Sequence, residues 1–208
     1  NKGGGNVKIT GIVCEYNPFH NGHLYHLKKT RENGATHIVA VMSGNYVQRG
    51  DTAVMDKFER AKLAVKGGAD LVIEIPTVYA LSSAEFYAKG AIYILDSLGC
   101  VDEISFGSEA GSVSELEKAA EIADECSGAP ELEEYLKSGM SYPNAINTMI
   151  YSSYGKKLSN RISDILASPN NVLAVEYLKA LRRLNSSITP FTIPVSYTHL
   201  RAHETRRH

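Results

Sequence analysis

The segment EYNPFHNGHLYHL, Glu15 to Leu27, sets three imidazoles, His20, His23 and His26, beside a proline and a glycine directly after an apolar run. Imidazoles in such a cluster can bind a metal, donate to phosphate oxygens, or fill space in a core. His20 and His23 fall on one side of a helix start. His26 lies about 120° around the helix from His20 at about 100° per residue, so it leaves that face. No Asp or Cys with a familiar ligand spacing stands nearby, which weakens the metal reading. A helix start also brings backbone N–H groups and a positive dipole end, which suit phosphate. Gly22 permits close approach at that point. His26 and His37 read as structural or surface histidines.

Two histidines can work there only if a strand delivers the chain to the turn and a helix leaves it. VKITGIVCEY is an apolar, β-rich run closed by Asn17-Pro18, which predicts a buried strand. A helix follows over about 22–33, with Gly34 as its stop. HIVAVM predicts a second strand, SGNYVQRGD a loop, DKFERAKLAVKGG a helix and DLVIEIP a third strand. Ser82 and Glu85 have capping-box spacing before a helix running to Leu98, and Ser112 and Glu115 repeat it after the strand DEISFG. Helical stretches follow around APELEEYLKSG and SYPNAINTMIYSSYG. Ser168 reads as an N-cap with Pro169 at the first helical position, and SITPFTIPV as a last strand.

Alternating strands and helices with nearly continuous apolar strands predict an α/β fold: a Rossmann-like, doubly wound parallel sheet with a helical extension. The expected organisation is a leader at 1–6, one domain over 7–195, and a tail at 196–208, SYTHLRAHETRRH, foreign to the domain. The net charge of −1 gives no global nucleic-acid signature. The three cysteines, Cys14, Cys100 and Cys126, are dispersed, which argues against a disulfide framework or a zinc ribbon and points to a reducing cytoplasm. No apolar stretch reaches the length of a membrane span.

The pattern His20-Asn21-Gly22-His23 resembles the H-x-G-H motif of the nucleotidyltransferase superfamily. Together with CEYNPFHNGHLYHL, VMSGNYVQRGD, GADLVIEIP, SAEFYAKGA, SFGSE and SPNNVLAVEYLKAL, the chain from about Val7 to Pro194 is similar to the bacterial tRNA(Met) cytidine acetate ligase family. That resemblance implies a nucleotidyltransferase fold and a two-step reaction. Acetate is first activated by ATP to acetyl-adenylate, with Mg2+ accompanying the phosphates. N4 of the wobble cytidine in elongator tRNA(Met) is then acetylated.

It further implies that His20 and His23 stabilise charge at the α-phosphorus. The ATP-binding segment would comprise Val13, Cys14, Glu15 and Tyr16, then Asn17, Pro18 and Phe19, then His20, Asn21, Gly22, His23, Leu24, Tyr25 and His26. Gly107 and Asn170 match further ATP contacts. Asn171 is the alternative to Asn170, and either asparagine could instead serve the helix start. Gly107 reads equally as a turn glycine. Arg49 could fork a carboxylate or a phosphate, or face solvent. Glu85 is assigned to the Ser82 capping box, and Lys57, Lys62 and Lys66 to a solvated helix face. The family carries a basic ATP contact where Val195 stands here. Two other classes fit the bare motif: an adenylyltransferase for a small cofactor, against which the helix start SPNN argues, and a non-enzymatic nucleotide- or RNA-binding module.

Overall fold

The computed structural model describes residues 6–48 and 50–195; Arg49 and the 196–208 segment lie outside the described residues. Strand β1 (Ile9–Cys14) leads into α1 (Asn21–Glu32), then β2 (His37–Ser43), α2 (Lys57–Gly67), β3 (Leu71–Ile75), a short α3 (Thr77–Ala80), α4 (Ala84–Ser97) and β4 (Glu103–Ser108). The chain continues through α5 (Val113–Gly128), α6 (Pro130–Lys137), α7 (Tyr142–Tyr154), α8 (Lys156–Leu166), α9 (Pro169–Leu184) and β5 (Thr189–Pro194).

The strands pair in parallel in the order β3-β2-β1-β4-β5. Register runs Ile9 opposite His37 and Cys14 opposite Met42 on one side of β1, and Thr10 opposite Glu103 on the other. The doubly wound sheet predicted from the sequence is therefore present. The order reverses between β1 and β4, the place where such sheets open a crevice beyond their carboxyl ends.

Both faces of the sheet are covered, which explains the continuous apolar strands. On one face Ile12, Ile38, Ala40 and Met42 pack with Leu27 of α1 and Ala64 of α2. On the other, Val39, Val41, Ile104 and Phe106 pack with Leu95 of α4, Leu116 of α5 and Val175 and Leu178 of α9. Each fully buried aliphatic side chain contributes about 1.5–3 kcal/mol. Helices α6, α7 and α8 supply Leu132, Ile146, Ile150 and Ile162 to this second core, so the helical extension is a continuation of the domain. Among the described residues no helix is long and apolar enough to cross a membrane.

Local signals hold in part. Ser168 and Pro169 stand at the N-cap and first position of α9 as predicted. Ser112 caps α5 by accepting from the Glu115 N–H at 3.4 Å, but the Glu115 carboxylate turns away to Arg161 at 2.6 and 2.7 Å, so the box is half formed. The Ser82–Glu85 box is overturned. The N-cap of α4 is Ser83, the Ser82 hydroxyl donates to the Tyr79 carbonyl at 2.7 Å, and Glu85 accepts from Arg183 of α9 at 2.6 Å. An ion pair to a distant helix outcompetes a cap made of neighbours.

Candidate functional site

Strand β1 ends at Cys14, and the chain turns sharply. Tyr16 adopts φ +47°, a left-handed conformation costly for a bulky residue, and Asn17-Pro18 is cis. The Tyr16 ring is buried, edge-on to Phe19 at 4.9 Å and tilted against His23 at 4.8 Å. Among the described residues its hydroxyl has no hydrogen-bond partner in good geometry, and the Cys14 thiol is its polar neighbour. This aromatic plug sets where α1 begins.

His20 is the N-cap of α1. Its Nδ1 accepts the Gly22 N–H at 3.1 Å, while Nδ1 of His23 accepts the His20 N–H at 3.2 Å. The two rings stack with centroids 3.6 Å apart. They form a capping box built from imidazoles instead of the usual hydroxyl and carboxylate. A neutral imidazole that accepts at Nδ1 carries its proton on Nε2. Both rings are therefore set as Nε2–H donors. The N–H groups of His20 and Gly22, expected to be open to phosphate, are instead taken by the rings. Burial, then the neighbouring His20 and His26, lower the pKa of His23 to about 3, so it is neutral near pH 7.

His26 leaves this face as its spacing predicts. The Thr30 hydroxyl donates to the His26 carbonyl at 2.9 Å, so its 2.8 Å bond with Ser105 of β4 must be donated by Ser105. Ser105 then accepts from His26 Nε2 at 2.9 Å. Burial lowers the pKa of His26 to about 4. The ring ties α1 to β4 beneath the crevice.

The rest of the segment divides by direction. Cys14 is buried, with its thiol pKa pushed up by burial. Val13 packs against the α4/α9 core, and Phe19 packs beside Gly67. Glu15 Oε1 accepts the Gln48 N–H at 2.8 Å, and Asn17 Oδ1 accepts the Val54 N–H at 2.8 Å. Pro18 and Asn21 are exposed, as are Leu24 and Tyr25, the latter beneath Lys29 at 5.7 Å.

Across the switch point, β4 ends in Gly107 and Ser108. A Cβ on Gly107 would meet Val195 Cγ1 at 2.8 Å, so the valine lies against the glycine. Glu109 holds the start of α9: Oε1 accepts from Asn170 Nδ2 at 2.9 Å and Oε2 from the Asn171 N–H at 3.1 Å. Asn171 is buried and its Oδ1 accepts the Ala110 N–H at 3.0 Å. The two asparagines are thus separated: Asn171 serves the loop backbone, while Asn170 lies half-buried at the helix start. Among the candidates, the histidine pair, Gly107 and Asn170 come to the same edge of the sheet, at the ends of adjacent strands β1 and β4.

Arg60 of α2 escaped the sequence reading. It is fully buried and donates to the carbonyls of Glu15 at 2.5 Å, Ser43 at 3.1 Å, Met55 at 3.2 Å, and Gly44. Its spacing from Ala64, four residues on and on the same buried stripe, was the available signal. Tyr87 of α4, likewise missed, donates to the Cys14 carbonyl at 3.3 Å. Lys57 and Lys62, read as a solvated face, pair with Glu74 at 2.6 Å and Glu59 at 2.5 Å.

The family model described as HIGH Nucleotidyl Transferase matches residues 7–207. The chain is 52% identical over 188 residues to the tRNA(Met) cytidine acetate ligase of Thermoanaerobacter sp. (strain X514), covering 89% of this chain and 46% of that protein. It is 48% identical over 195 residues to the protein of the same name from Acetivibrio thermocellus, covering 90% of this chain and 45% of that protein. The crystal structure of Thermotoga maritima TmcAL bound with alpha-thio ATP superposes with a TM-score of 0.82 at 38% identity, over 96% of this chain and 51% of that one. The chain spans about half the length of the curated relatives it matches.

Proposed function

The chain belongs to the HIGH nucleotidyl transferase family, and from that premise we propose that it carries the adenylating site of a tRNA(Met) cytidine acetate ligase. In this reading ATP lies across the switch point, with its phosphates at the histidine pair and its nucleoside toward Gly107 and Asn170. An acetate oxygen attacks the α-phosphorus, the bond to the β-phosphate breaks, and pyrophosphate leaves. The cytidine N4 then attacks the acetyl carbonyl, loses its proton, and AMP leaves. The base must be presented unpaired, as an anticodon nucleotide is.

The observation that carries the reading is the stacked pair of capping imidazoles at the end of the central strand. Their Nε2–H groups are fixed before substrate arrives. Donors already in place stabilise charge developing on the α-phosphate oxygens without reorganising. His23, its pKa lowered to about 3 by burial, stays a neutral donor near pH 7. Among the described residues no group of three or more carboxylate, imidazole or thiol side chains forms a cage for an ion. Mg2+ typically enters on phosphate oxygens with several of its waters retained, where it would neutralise the leaving pyrophosphate. The ATP analogue in the Thermotoga maritima structure and the names of the curated relatives support the substrates. A reaction on ATP and tRNA supports a cytoplasmic setting.

Exchange of labelled pyrophosphate into ATP tests the first step, with a full-length relative as positive control. The reading expects exchange that requires acetate. Exchange independent of acetate, or dependent on a nucleotide acceptor instead, overturns it.

A further inference from the structure

We infer that Arg60 is a positioning residue of this site: its guanidinium fixes Ser43, Gly44 and Met55, at the end of β2 and on the β2–α2 connection, against the histidine turn, giving the β2 side of the crevice a single geometry. The consequence for catalysis rests on the proposed adenylation; the clamp itself does not.

A buried guanidinium costs several kcal/mol unless its donors are satisfied. Arg60 is fully buried, and among the described residues no carboxylate lies within ion-pair distance of it. It is satisfied by main-chain oxygens from three stretches of chain. Glu15 follows β1, Ser43 and Gly44 end β2 and follow it, and Met55 precedes α2. Carbonyls at the end of a parallel sheet lose their ladder partners and need others when buried. One planar fork reaches all of them, which a single ammonium cannot do.

The same seam is stitched twice more. The Gln48 N–H donates to Glu15 Oε1 and the Val54 N–H to Asn17 Oδ1, both at 2.8 Å. Glu15 and Asn17 sit five and three residues before His20. The Arg60–Glu15, Gln48–Glu15 and Val54–Asn17 bonds join the histidine turn to the β2–α2 connection, the Arg60 bonds to Ser43, Gly44 and Met55 tie that connection to Arg60, and none of them reaches the β4–α9 side where the nucleoside is proposed. The clamp therefore governs the β2 side of the crevice, opposite the proposed nucleoside.

The test uses Arg60→Lys, which keeps the charge and loses the fork, and Arg60→Met. Amide hydrogen exchange is followed at Gln48 and Val54, with β4 and α9 amides as internal references. Exchange at Gln48 and Val54 is expected to rise by about tenfold or more in Arg60→Lys while the references hold. The kcat of acetate-dependent pyrophosphate exchange should fall roughly a hundredfold, with the KM for ATP within about threefold of wild type. Unchanged protection in Arg60→Lys, or acceleration of all amides together, overturns the inference. So does a kcat restored by lysine. If Arg60→Met does not fold, Arg60→Lys carries the test alone. If the wild-type chain shows no acetate-dependent exchange, the proposed reaction fails, while the amide measurements still decide the clamp.

Discussion

His23 Nδ1 holds the backbone N–H of His20 at 3.2 Å, and the two rings lie face to face at 3.6 Å. Each histidine thus helps to fix the other, and both serve the helix start before either meets a ligand. The structural and chemical roles of His20 can be separated. Asparagine is a strong N-cap, so His20→Asn should change stability by less than about 0.5 kcal/mol, whereas His20→Ala should cost about 1 kcal/mol. Both should lower the pyrophosphate-exchange rate by about a hundredfold to a thousandfold, as loss of a preorganised donor does. Urea denaturation set beside exchange kinetics checks this. Equal activity of wild type and His20→Asn would show that the ring does only capping.

Acid should weaken the fold through the interior histidines. The pKa values of His23 and His26 are lowered to about 3 and about 4, mainly by burial. The unfolded chain, with histidines near 6.5, binds more protons than the folded chain between about pH 6.5 and pH 3. Stability is therefore full above that window and falls as pH drops through it. Allowing for partial exposure of both rings, the loss is on the order of 5 kcal/mol in total. Urea midpoints between pH 7.5 and 5 isolate this effect from most carboxylate titration. In His26→Asn the slope should be visibly shallower.

The asparagines beside Glu109 should give opposite phenotypes. Asn171→Ala strands the Ala110 N–H and should cost about 1–3 kcal/mol. Asn170→Ala should leave stability within about 0.5 kcal/mol and weaken ATP binding, measured by titration calorimetry. A reversed pattern would move the nucleotide contact to Asn171.

Gly67 is pressed against the aromatic plug. A Cβ there would come within 2.5 Å of the Phe19 ring tip. Gly67→Ala should cost about 1–3 kcal/mol by overpacking and shift Phe19 against His23, weakening ATP binding as well. Thermal melts with and without ATP report both.

The Tyr16 hydroxyl is buried beside the Cys14 thiol and, among the described residues, has no hydrogen-bond partner in good geometry. Tyr16→Phe should accordingly be neutral or stabilising by up to about 1 kcal/mol. A large loss of exchange activity with an unchanged melting temperature would instead give that hydroxyl a place among the reacting groups.

The sheet was legible because strands covered on both faces must be apolar throughout, and HIVAVM and DLVIEIP are. The histidine turn was legible because a cluster of imidazoles after such a strand has few structural uses. What failed was anything settled by partners far along the chain. Spacing made Glu85 look like a cap partner for Ser82, but its actual partner, Arg183, lies 98 residues on. Arg60 drew no reading because nothing within KFERAKLAVKG shows that carbonyls from three other stretches of chain wait for its guanidinium. The imidazole cap was hidden because capping rules are written for hydroxyls and carboxylates.

The central position of β1 also bears on how the protein matures. Its pairing with β2 joins residues 28 apart, Ile9 with His37, whereas its pairing with β4 joins Thr10 to Glu103, 93 residues apart. Bringing remote stretches together costs more chain entropy and comes slowly. The β1–β4 join thus closes the larger loop of the two, and a chain holding only β1, β2 and β3 together would lack one wall of the crevice. A nucleotide bound across that seam would act as a latch on the finished chain, holding shut the join with the greater entropic cost.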